Sequence, residues 1–300
     1  MIKRTLYFSK PVYLKQANNQ LEAFSDHELI TSAPIEDIGF LVLDNPQIAY
    51  SQSLVATLLE NNAAIIYCNS KHMPTGMVLN LDSHHLQHEL QRSQIEVKQP
   101  VKKALWKHIV ERKIRNQIAV AEFSKLQIPE LLRACSKEVK SDDSTNREAV
   151  AAKSYWKTVM PEGYTRSNRD LLANKKLNYG YAILRAAVAR SLSGSGLLPT
   201  IGIHHRNQYN SFALADDIME PYRPFVDAQV LQTTTPDRLL NKADLTKEDK
   251  ADMLNALTRD VYFPEKKRPL SNGLSLTTAS IARHFTDKTM KPMFPKFKKL

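Results

Sequence analysis

The chain has 300 residues, 42% hydrophobic and 24% charged, a composition typical of a folded protein with one or two domains. Lysine and arginine outnumber aspartate and glutamate by 42 to 31, and the formal net charge of +11 favours a polyanionic partner such as nucleic acid. No apolar run reaches the roughly 18 to 20 residues that span a bilayer, and the N-terminal MIKRTLYFSKPVYLK lacks the apolar core of a signal peptide. Cys68 and Cys135 lie far apart in apolar or helical runs, which predicts buried thiols in a reducing cytoplasm.

Short β-branched and aromatic runs dominate residues 1–83. The runs TLYF, PVYLK, IGFLVLD and AAIIYCN are separated by the turn signals NNQ, DNPQ and NSKHMPTG. Between the last two runs, SQSLVATLLENN has helical spacing, with Ser51 or Ser53 as its cap and Asn61 and Asn62 at its end. Residues 1–83 are therefore predicted to form a β-rich N-terminal domain.

From residue 84 onward, helical periodicity replaces the strand patterns. QPVKKALWKHIVERKIRNQIAVAEF has approximately helical spacing, and similar patterns recur at 128–140, 146–158, 176–192 and 247–261. The sequence thus predicts the α+β class, with a larger all-α domain over 84–285. The segment SKEVKSDDST is predicted to be a polar connector. Residues 286–300 form a basic tail, for which a solvated state is favoured over phosphate contacts.

Three separated segments carry the candidate metal-binding or catalytic residues. The candidates are Glu148, His204, His205, Asp216, Asp217 and Glu220. One imidazole with two carboxylates suits a hard divalent metal that activates phosphate chemistry. Each acid also has a structural alternative. TNRE at 145–148 has the spacing of a capping box, and Asp217 and Glu220 are likewise three residues apart, as the two residues of a capping box are. Spacing alone favours these structural roles over a metal site.

A rival histidine cluster lies at HHLQH. On a helix, His84 and His88 would be four residues apart, a spacing that can hold zinc, and His85 lies beside them. No cysteine or obvious third carboxylate supports this site, so surface or interface positions are favoured for these histidines. A zinc-dependent hydrolase that uses them remains as a hypothesis from a different functional class. The segment SGSGLLP lacks the Lys-Ser/Thr of a P-loop, and its glycines are predicted to end the helix near Leu192.

The order of the blocks resembles the integrase of CRISPR adaptation, a spacer-integration endonuclease family, in the form found with type II systems. The blocks are Glu148 followed by AAKSYW, then LNYGYAILRAAVARSL, GLLPTIGIHH and SFALADDIMEPYRPFVD. The resemblance covers most of the chain. It implies a β-sandwich-like dimerisation domain followed by a helical catalytic domain. The metal site becomes the favoured interpretation.

The resemblance implies that Glu148, His205 and Glu220 are the catalytic ligands of Mg²⁺ or Mn²⁺. His204 remains a competitor by register, and Asp216 and Asp217 are candidates for supporting or capping roles. The implied reaction inserts new spacer DNA into a CRISPR array, by attack of a DNA 3′-hydroxyl on a repeat phosphodiester. The alternative is a non-catalytic DNA-binding scaffold of the adaptation complex.

The resemblance also implies partners. These are double-stranded DNA (spacer precursor and CRISPR repeat), a second copy in a homodimer, and a second adaptation protein in a heterohexamer of two integrase dimers and one partner dimer. The type II effector nuclease is a further candidate. Candidate DNA contacts near the blocks are Arg166, Arg169, Asn178, Tyr179, Arg206, Asn210 and Arg223. Their alternatives are core packing for Tyr179 and an ion pair with Glu220 or Asp227 for Arg223. A solvated helix face, with contact to duplex phosphates as the alternative, is predicted for Lys102, Lys103, Lys107, Lys113 and Arg115.

Overall fold

A computed structural model describes residues 3–264 and 266–298 of the chain. The chain divides into two units, one of residues 1–87 and one of residues 88–300. Strands dominate the first unit and helices the second, so the predicted α+β class is confirmed.

Hairpins and parallel pairs build the strand-rich unit. Its elements are β1 (Arg4–Phe8), β2 (Tyr13–Ala17), β3 (Gln20–Ser25), β4 (Glu28–Pro34), β5 (Ile38–Leu43), β6 (Ala49–Tyr50), α1 (Gln52–Glu60), β7 (Ala64–Cys68) and β8 (Pro74–Val78). The turns Asn18–Asn19 and Asp26–His27 join β2 to β3 and β3 to β4. All four turn residues have positive φ, as type I′ hairpins require, and the first turn is the predicted NNQ signal.

Two four-stranded sheets share one hydrophobic core in this unit. The first has the order β1-β5-β7-β8, in which only β8 pairs antiparallel, and the second has the order β4-β3-β2-β6. Strand β5 is buried along its whole length, as its continuous apolar sequence predicts. Helix α1 adds Leu54 and Leu58 to the core. Of its two predicted caps, Ser51 is the observed one and accepts the Leu54 N–H at 3.3 Å.

Helices account for most of the second unit. They are α2 (Gln87–Glu96), α3 (Gln99–Phe123), α4 (Glu130–Cys135), α5 (Arg147–Val159), α6 (Leu172–Gly194), α7 (Ala213–Met219), α8 (Arg223–Thr233), α9 (Pro236–Leu239), α10 (Lys247–Asn255) and α11 (Leu270–Thr286). The five predicted helical segments correspond to α3, α4, α5, α6 and α10. Helix α3 contacts both α5 and the turn between α7 and α8, and this packing positions the candidate site.

The all-α prediction for residues 84–285 is wrong at one place. Strands β9 (Asp260–Tyr262) and β10 (Lys267–Pro269) pair antiparallel. The pattern at 247–261 predicted a helix up to this point, but Val261, Tyr262 and Phe263 are β-branched or aromatic and favour a strand. Helix α10 accordingly ends at Asn255.

The prediction of a solvated tail is wrong for the last described residues. Phe297 is buried, and its ring centroid lies 5.1 Å from that of Phe225. The Asn116 side chain accepts the Phe297 N–H at 3.0 Å. Burial of an aromatic ring together with this hydrogen bond offsets the entropy lost on ordering the segment. Lys299, also assigned to the tail, lies outside the described residues.

The cysteines occupy ends of regular elements. Cys135 at the end of α4 is buried, as predicted, whereas Cys68 at the end of β7 is half-buried. Within residues 3–264 and 266–298, no helix combines the length and apolar character needed to cross a membrane.

Candidate metal centre

Helix α5 carries Glu148 in its first turn. The buried Asp143 carboxylate accepts the N–H of Arg147 at 2.8 Å and that of Glu148 at 3.0 Å. The capping box expected from Thr145 is therefore wrong: the helix begins after Asn146, whose side chain makes no capping hydrogen bond, and Asp143 supplies the acceptor. The cap of α5 thus comes from the connector SKEVKSDDST, and among the described residues the Glu148 carboxylate makes no capping hydrogen bond.

Lys113 of α3 brings the two candidate acids together. Its Nζ atom lies 2.5 Å from Glu148 Oε1 and 2.5 Å from Glu220 Oε2. Glu220 is buried in the 3-10 turn between α7 and α8, and Arg223 Nε lies 2.8 Å from its Oε1. Glu220 Oε2 is thus held by the Lys113 ammonium and Oε1 by the Arg223 guanidinium. Oxygens of both acids thus lie within reach of one cation.

Opposite charges keep this centre ionised despite its burial. Burial raises the pKa of Glu220, but Arg223 and Lys113 outweigh burial and hold that pKa below its usual range. Burial likewise lowers the pKa of Lys113, but the Glu220 and Glu148 carboxylates outweigh it and raise the pKa overall. At neutral pH, Glu220 is therefore a carboxylate and Lys113 an ammonium.

The segment GIHH between α6 and α7 folds around one buried carboxylate, that of Asp217. Its Oδ2 accepts the N–H of Ile203 at 2.5 Å and that of His204 at 3.0 Å, and its Oδ1 accepts the N–H of His205 at 3.2 Å. Oδ1 also lies 2.6 Å from His205 Nδ1, so Nδ1–H is assigned as the donor and Nε2 is the nitrogen left for a ligand. A Cβ atom at Gly202 would lie 2.5 Å from the His205 carbonyl oxygen, which explains the glycine.

The two neighbouring histidines have different surroundings. The hydrogen bond to Asp217 raises the pKa of His205 against the effect of burial, and Glu220 is close enough to raise it further. The His204 ring instead stacks on Trp106 with 4.2 Å between centroids, and its Nδ1 lies 3.3 Å from Asp142 Oδ1. These contacts favour His205 over His204 as the residue that works with Glu220.

On the hypothesis that His205 is a metal ligand, we expect Asp217→Asn to weaken metal binding by about 10- to 100-fold, as is typical when the partner of a metal-binding histidine is lost. The amide keeps the side-chain volume but removes the charge that orients and polarises His205. Calorimetric titration with Mn²⁺ measures the effect. Asp216→Asn is the matched control, because the Asp216 carboxylate pairs with Arg185 at 2.6 Å. The Asp216→Asn protein should bind metal about as tightly as the wild type. Equal losses in the two variants would contradict a specific role for Asp217.

The predicted DNA-contact residues fall into different environments. Arg206 and Arg169 are exposed, and Arg206 Nη2 donates to Gln99 Oε1 at 2.8 Å. Arg166 and Asn178 are brought together, since Arg166 Nη2 donates to Asn178 Oδ1 at 2.8 Å. All four polar side chains are at least partly accessible.

Three other predicted DNA contacts are engaged inside the protein. Tyr179 is fully buried in α6, so the expectation that it stacks on a base is wrong, and core packing explains it. The Asn210 amide donates to Asp216 Oδ2 at 2.8 Å. Arg223 pairs with Glu220, which is the structural alternative weighed for it.

We expect Asp227 to make the protein less stable as pH rises. Burial raises its pKa to about 7, although the Tyr181 hydroxyl donates a hydrogen bond to it. The folded protein therefore retains a proton that the unfolded chain releases near pH 4, so the free energy of unfolding falls between about pH 4 and 7, by at most about 1.4 kcal/mol per pH unit. Urea unfolding across this range should show a shallower decline in Asp227→Asn. Parallel pH profiles would contradict the assignment.

Lys113 is the site residue that the sequence interpretation misplaced. The sequence predicts a solvated position for it, yet its side chain is only 12% exposed and lies between the two acids. The available signal was helical register, because Lys113 follows the buried Ile109 by four residues and the buried Val110 by three. It therefore belongs to the inward stripe of α3.

The rival zinc site is not formed. Helix α2 begins at Gln87, so His84 and His85 precede it, with their rings stacked 4.8 Å apart, and the helical spacing assumed for His84 and His88 is wrong. No group of three His, Cys, Asp or Glu side chains is arranged for a metal ion within residues 3–264 and 266–298. At the Glu148–Glu220 pair, the cation between the acids is the Lys113 ammonium.

One protein-family model matches most of this chain. The model of the family described as CRISPR associated protein Cas1 matches residues 6–265. The chain belongs to the Cas1 family. A relative, the CRISPR-associated endonuclease Cas1 of Neisseria meningitidis serogroup C (strain 8013), is 35% identical over 263 residues, which are 87% of this chain and 86% of the relative. The resemblance seen in the sequence blocks is confirmed.

Solved structures share the fold of this Cas1-family chain. A casposase bound to integration product has a TM-score of 0.78 at 19% identity and covers 97% of this chain and 92% of its own. A Cas6-RT-Cas1–Cas2 complex has a TM-score of 0.75 at 18% identity and covers 99% of this chain and 36% of its own. At these identities the similarity shows the architecture, a strand-rich unit followed by a helical one.

Proposed function

We propose that this Cas1-family protein is a metal-dependent DNA endonuclease and integrase that inserts spacer DNA into a CRISPR array. The observation that carries the proposal is the convergence of Glu148 and Glu220 on one cationic atom, Lys113 Nζ, with His205 near enough to Glu220 for that carboxylate to raise its pKa. The family supports it, since the Neisseria relative is named an endonuclease and the casposase was solved with an integration product.

The donor set fits Mg²⁺ or Mn²⁺. Two carboxylates and one imidazole form a hard site, and the buried Glu220 Oε2 already contacts a cation, the Lys113 ammonium, at 2.5 Å. We therefore assign Glu148, His205 and Glu220 as the residues that hold the ion. When bound, such a metal lowers the pKa of an attacking hydroxyl and neutralises charge on the phosphate.

In the proposed reaction, the 3′-hydroxyl of one DNA strand forms a new bond to a phosphorus atom of the repeat. The phosphodiester bond at that phosphorus breaks, and the departing oxygen becomes a new 3′-hydroxyl, so one linkage is exchanged for another. The nucleophile belongs to the substrate, and no protein nucleophile is needed. The protein's share is positional: Asp217 orients His205, and Arg223 holds Glu220 in its ionised form.

The assembly is part of the same proposal. The net charge of +11 suits double-stranded DNA, and the accessible Arg166, Arg169, Asn178 and Arg206 are the proposed contacts. We propose a homodimer that joins a second adaptation protein in a heterohexamer of two integrase dimers and one partner dimer, with the type II effector nuclease as a further partner. A complex whose name includes both Cas1 and Cas2 supports a second protein.

The test is joining of a labelled DNA duplex to a supercoiled plasmid that carries a CRISPR repeat. We expect joined product in Mg²⁺ or Mn²⁺ with the second adaptation protein present, and none in chelator. A plasmid without the repeat is the control for targeting. If the protein binds both DNAs but joins them under no metal, the non-catalytic scaffold replaces the integrase.

A further inference from the structure

A cavity of about 460 Å³ opens between α3 and the segment that follows α11. Its volume is in the range of small-ligand sites. Arg112 and Arg115 line it from α3. Because each residue turns a helix by about 100°, these side chains leave α3 in directions different from that of Lys113. The cavity is thus separate from the Glu148–Glu220 pair.

The cavity wall carries an excess of positive charge. Its cationic side chains are Arg112, Arg115, Lys288 and Lys291, and its one carboxylate is Glu111. Glu111 already lies 3.8 Å from Arg115 and 3.8 Å from Lys107. An anionic ligand therefore matches the wall better than a neutral one.

Two of these cations are held by no direct contact within the described residues. Arg112 is half-buried and makes no ion pair or hydrogen bond there, and the same holds for the exposed Lys291. Burial and the adjacent Arg115 lower the pKa of Arg112, and the nearby Glu111 carboxylate opposes them only in part. A guanidinium in this position presents its planar donor fork to an oxyanion such as phosphate.

The rest of the wall is mainly apolar, apart from His108 and His284, and it includes an aromatic ring. Phe294 is half-buried and Met290 is 43% exposed, and both line the cavity. Aromatic side chains stack on nucleobases of any sequence, and methionine adapts to flat apolar surfaces. The wall thus offers both cations that suit a phosphate and apolar side chains that suit a base.

We propose that this cavity binds one nucleotide, with its phosphate at Arg112 and Lys291 and its base against Phe294 and Met290. A free mononucleotide and an unpaired nucleotide of a DNA strand share this chemistry. The aromatic wall and the compact volume favour a nucleotide over an acidic peptide. The inference rests on the cavity alone and does not require the proposed joining reaction.

The experiment measures binding to the full-length protein in chelator, which removes metal-dependent binding at the Glu148–Glu220 pair. The probes are dAMP by calorimetry and a labelled oligothymidylate by fluorescence anisotropy, with deoxyadenosine as the probe that lacks phosphate. We expect Arg112→Met and Lys291→Met each to weaken binding roughly tenfold, since each removes a charged contact to phosphate. Arg133→Met, an exposed cation of α4 outside the cavity, should bind like the wild type.

Each result of these binding experiments supports or overturns the proposed nucleotide site. Cavity-dependent binding of dAMP supports a free nucleotide, and cavity-dependent binding of the oligonucleotide alone supports a strand end. The proposal is overturned if neither probe binds, if the variants bind as wild type does, or if only an acidic peptide binds in a cavity-dependent way. Lys291→Met keeps the test valid if Arg112→Met fails to fold. The joining assay, run in parallel, reports on the proposed function separately.

Discussion

Glu148→Gln, His205→Ala and Glu220→Gln are each expected to lower DNA joining by at least about 100-fold, while binding of duplex DNA persists. Loss of a metal ligand should exceed the 10- to 100-fold typical of losing a residue that only supports a ligand. Glutamine preserves the volume of each acid, so the loss would come from charge and coordination. Joining to a repeat-bearing plasmid in Mn²⁺ measures the rate.

His204→Ala is the matched control for this series. His204 lies in the same GIHH segment as His205. Its ring stacks on Trp106 and its Nδ1 lies near Asp142, away from the Glu148–Glu220 pair. It should retain most of the joining rate. If His204→Ala loses joining and His205→Ala keeps it, the ligand register is shifted by one residue. If all variants join normally, the metal centre lies elsewhere.

Lys113→Met is expected to lower the free energy of unfolding by about 3 to 5 kcal/mol in chelator, as removal of one partner from a buried ion pair does. The change leaves Glu148 and the buried Glu220 close together without the cation that lies between them. Mg²⁺ or Mn²⁺ should restore much of the loss, because the ion would take the position of the ammonium. Urea unfolding with and without metal measures both effects.

Two further variants make this test specific. Lys107→Met lies on the same helix in a partly exposed pair with Glu111, and should change stability by less than about 0.5 kcal/mol. Adding Glu148→Gln to Lys113→Met removes the repulsion between the acids and should recover stability in chelator. A Lys113→Met protein that is equally stable in chelator and in metal would contradict a cation site between these carboxylates.

Local patterns predicted the elements that depend on nearby residues. The continuous apolar run IGFLVL became the fully buried β5, and Ser51 caps α1 as its position indicated. Helical periodicity located α3, α5 and α6. It did not indicate the tail, because the burial of Phe297 depends on Phe225, which lies far away along the chain.

The residues of the candidate site, too, were predictable from the sequence only in part. Glu148, His205 and Glu220 were selected from the sequence by their residue types and by the family resemblance. Lys113 and Asp217 acquired their roles only from packing. The Lys113 ammonium is buried because α3 lies between α5 and the turn before α8, and there it pairs with acids 35 and 107 residues away.

The sequence by itself determined the α+β class, the order of the blocks and the positive charge, because each depends on composition or on short-range periodicity. The tertiary structure decided which charges meet. A carboxylate costs free energy when buried alone, so Glu220 and Asp217 are tolerated only where Lys113, Arg223, His205 and backbone N–H groups converge on them. That convergence joins segments distant in the chain, and no local pattern encodes it.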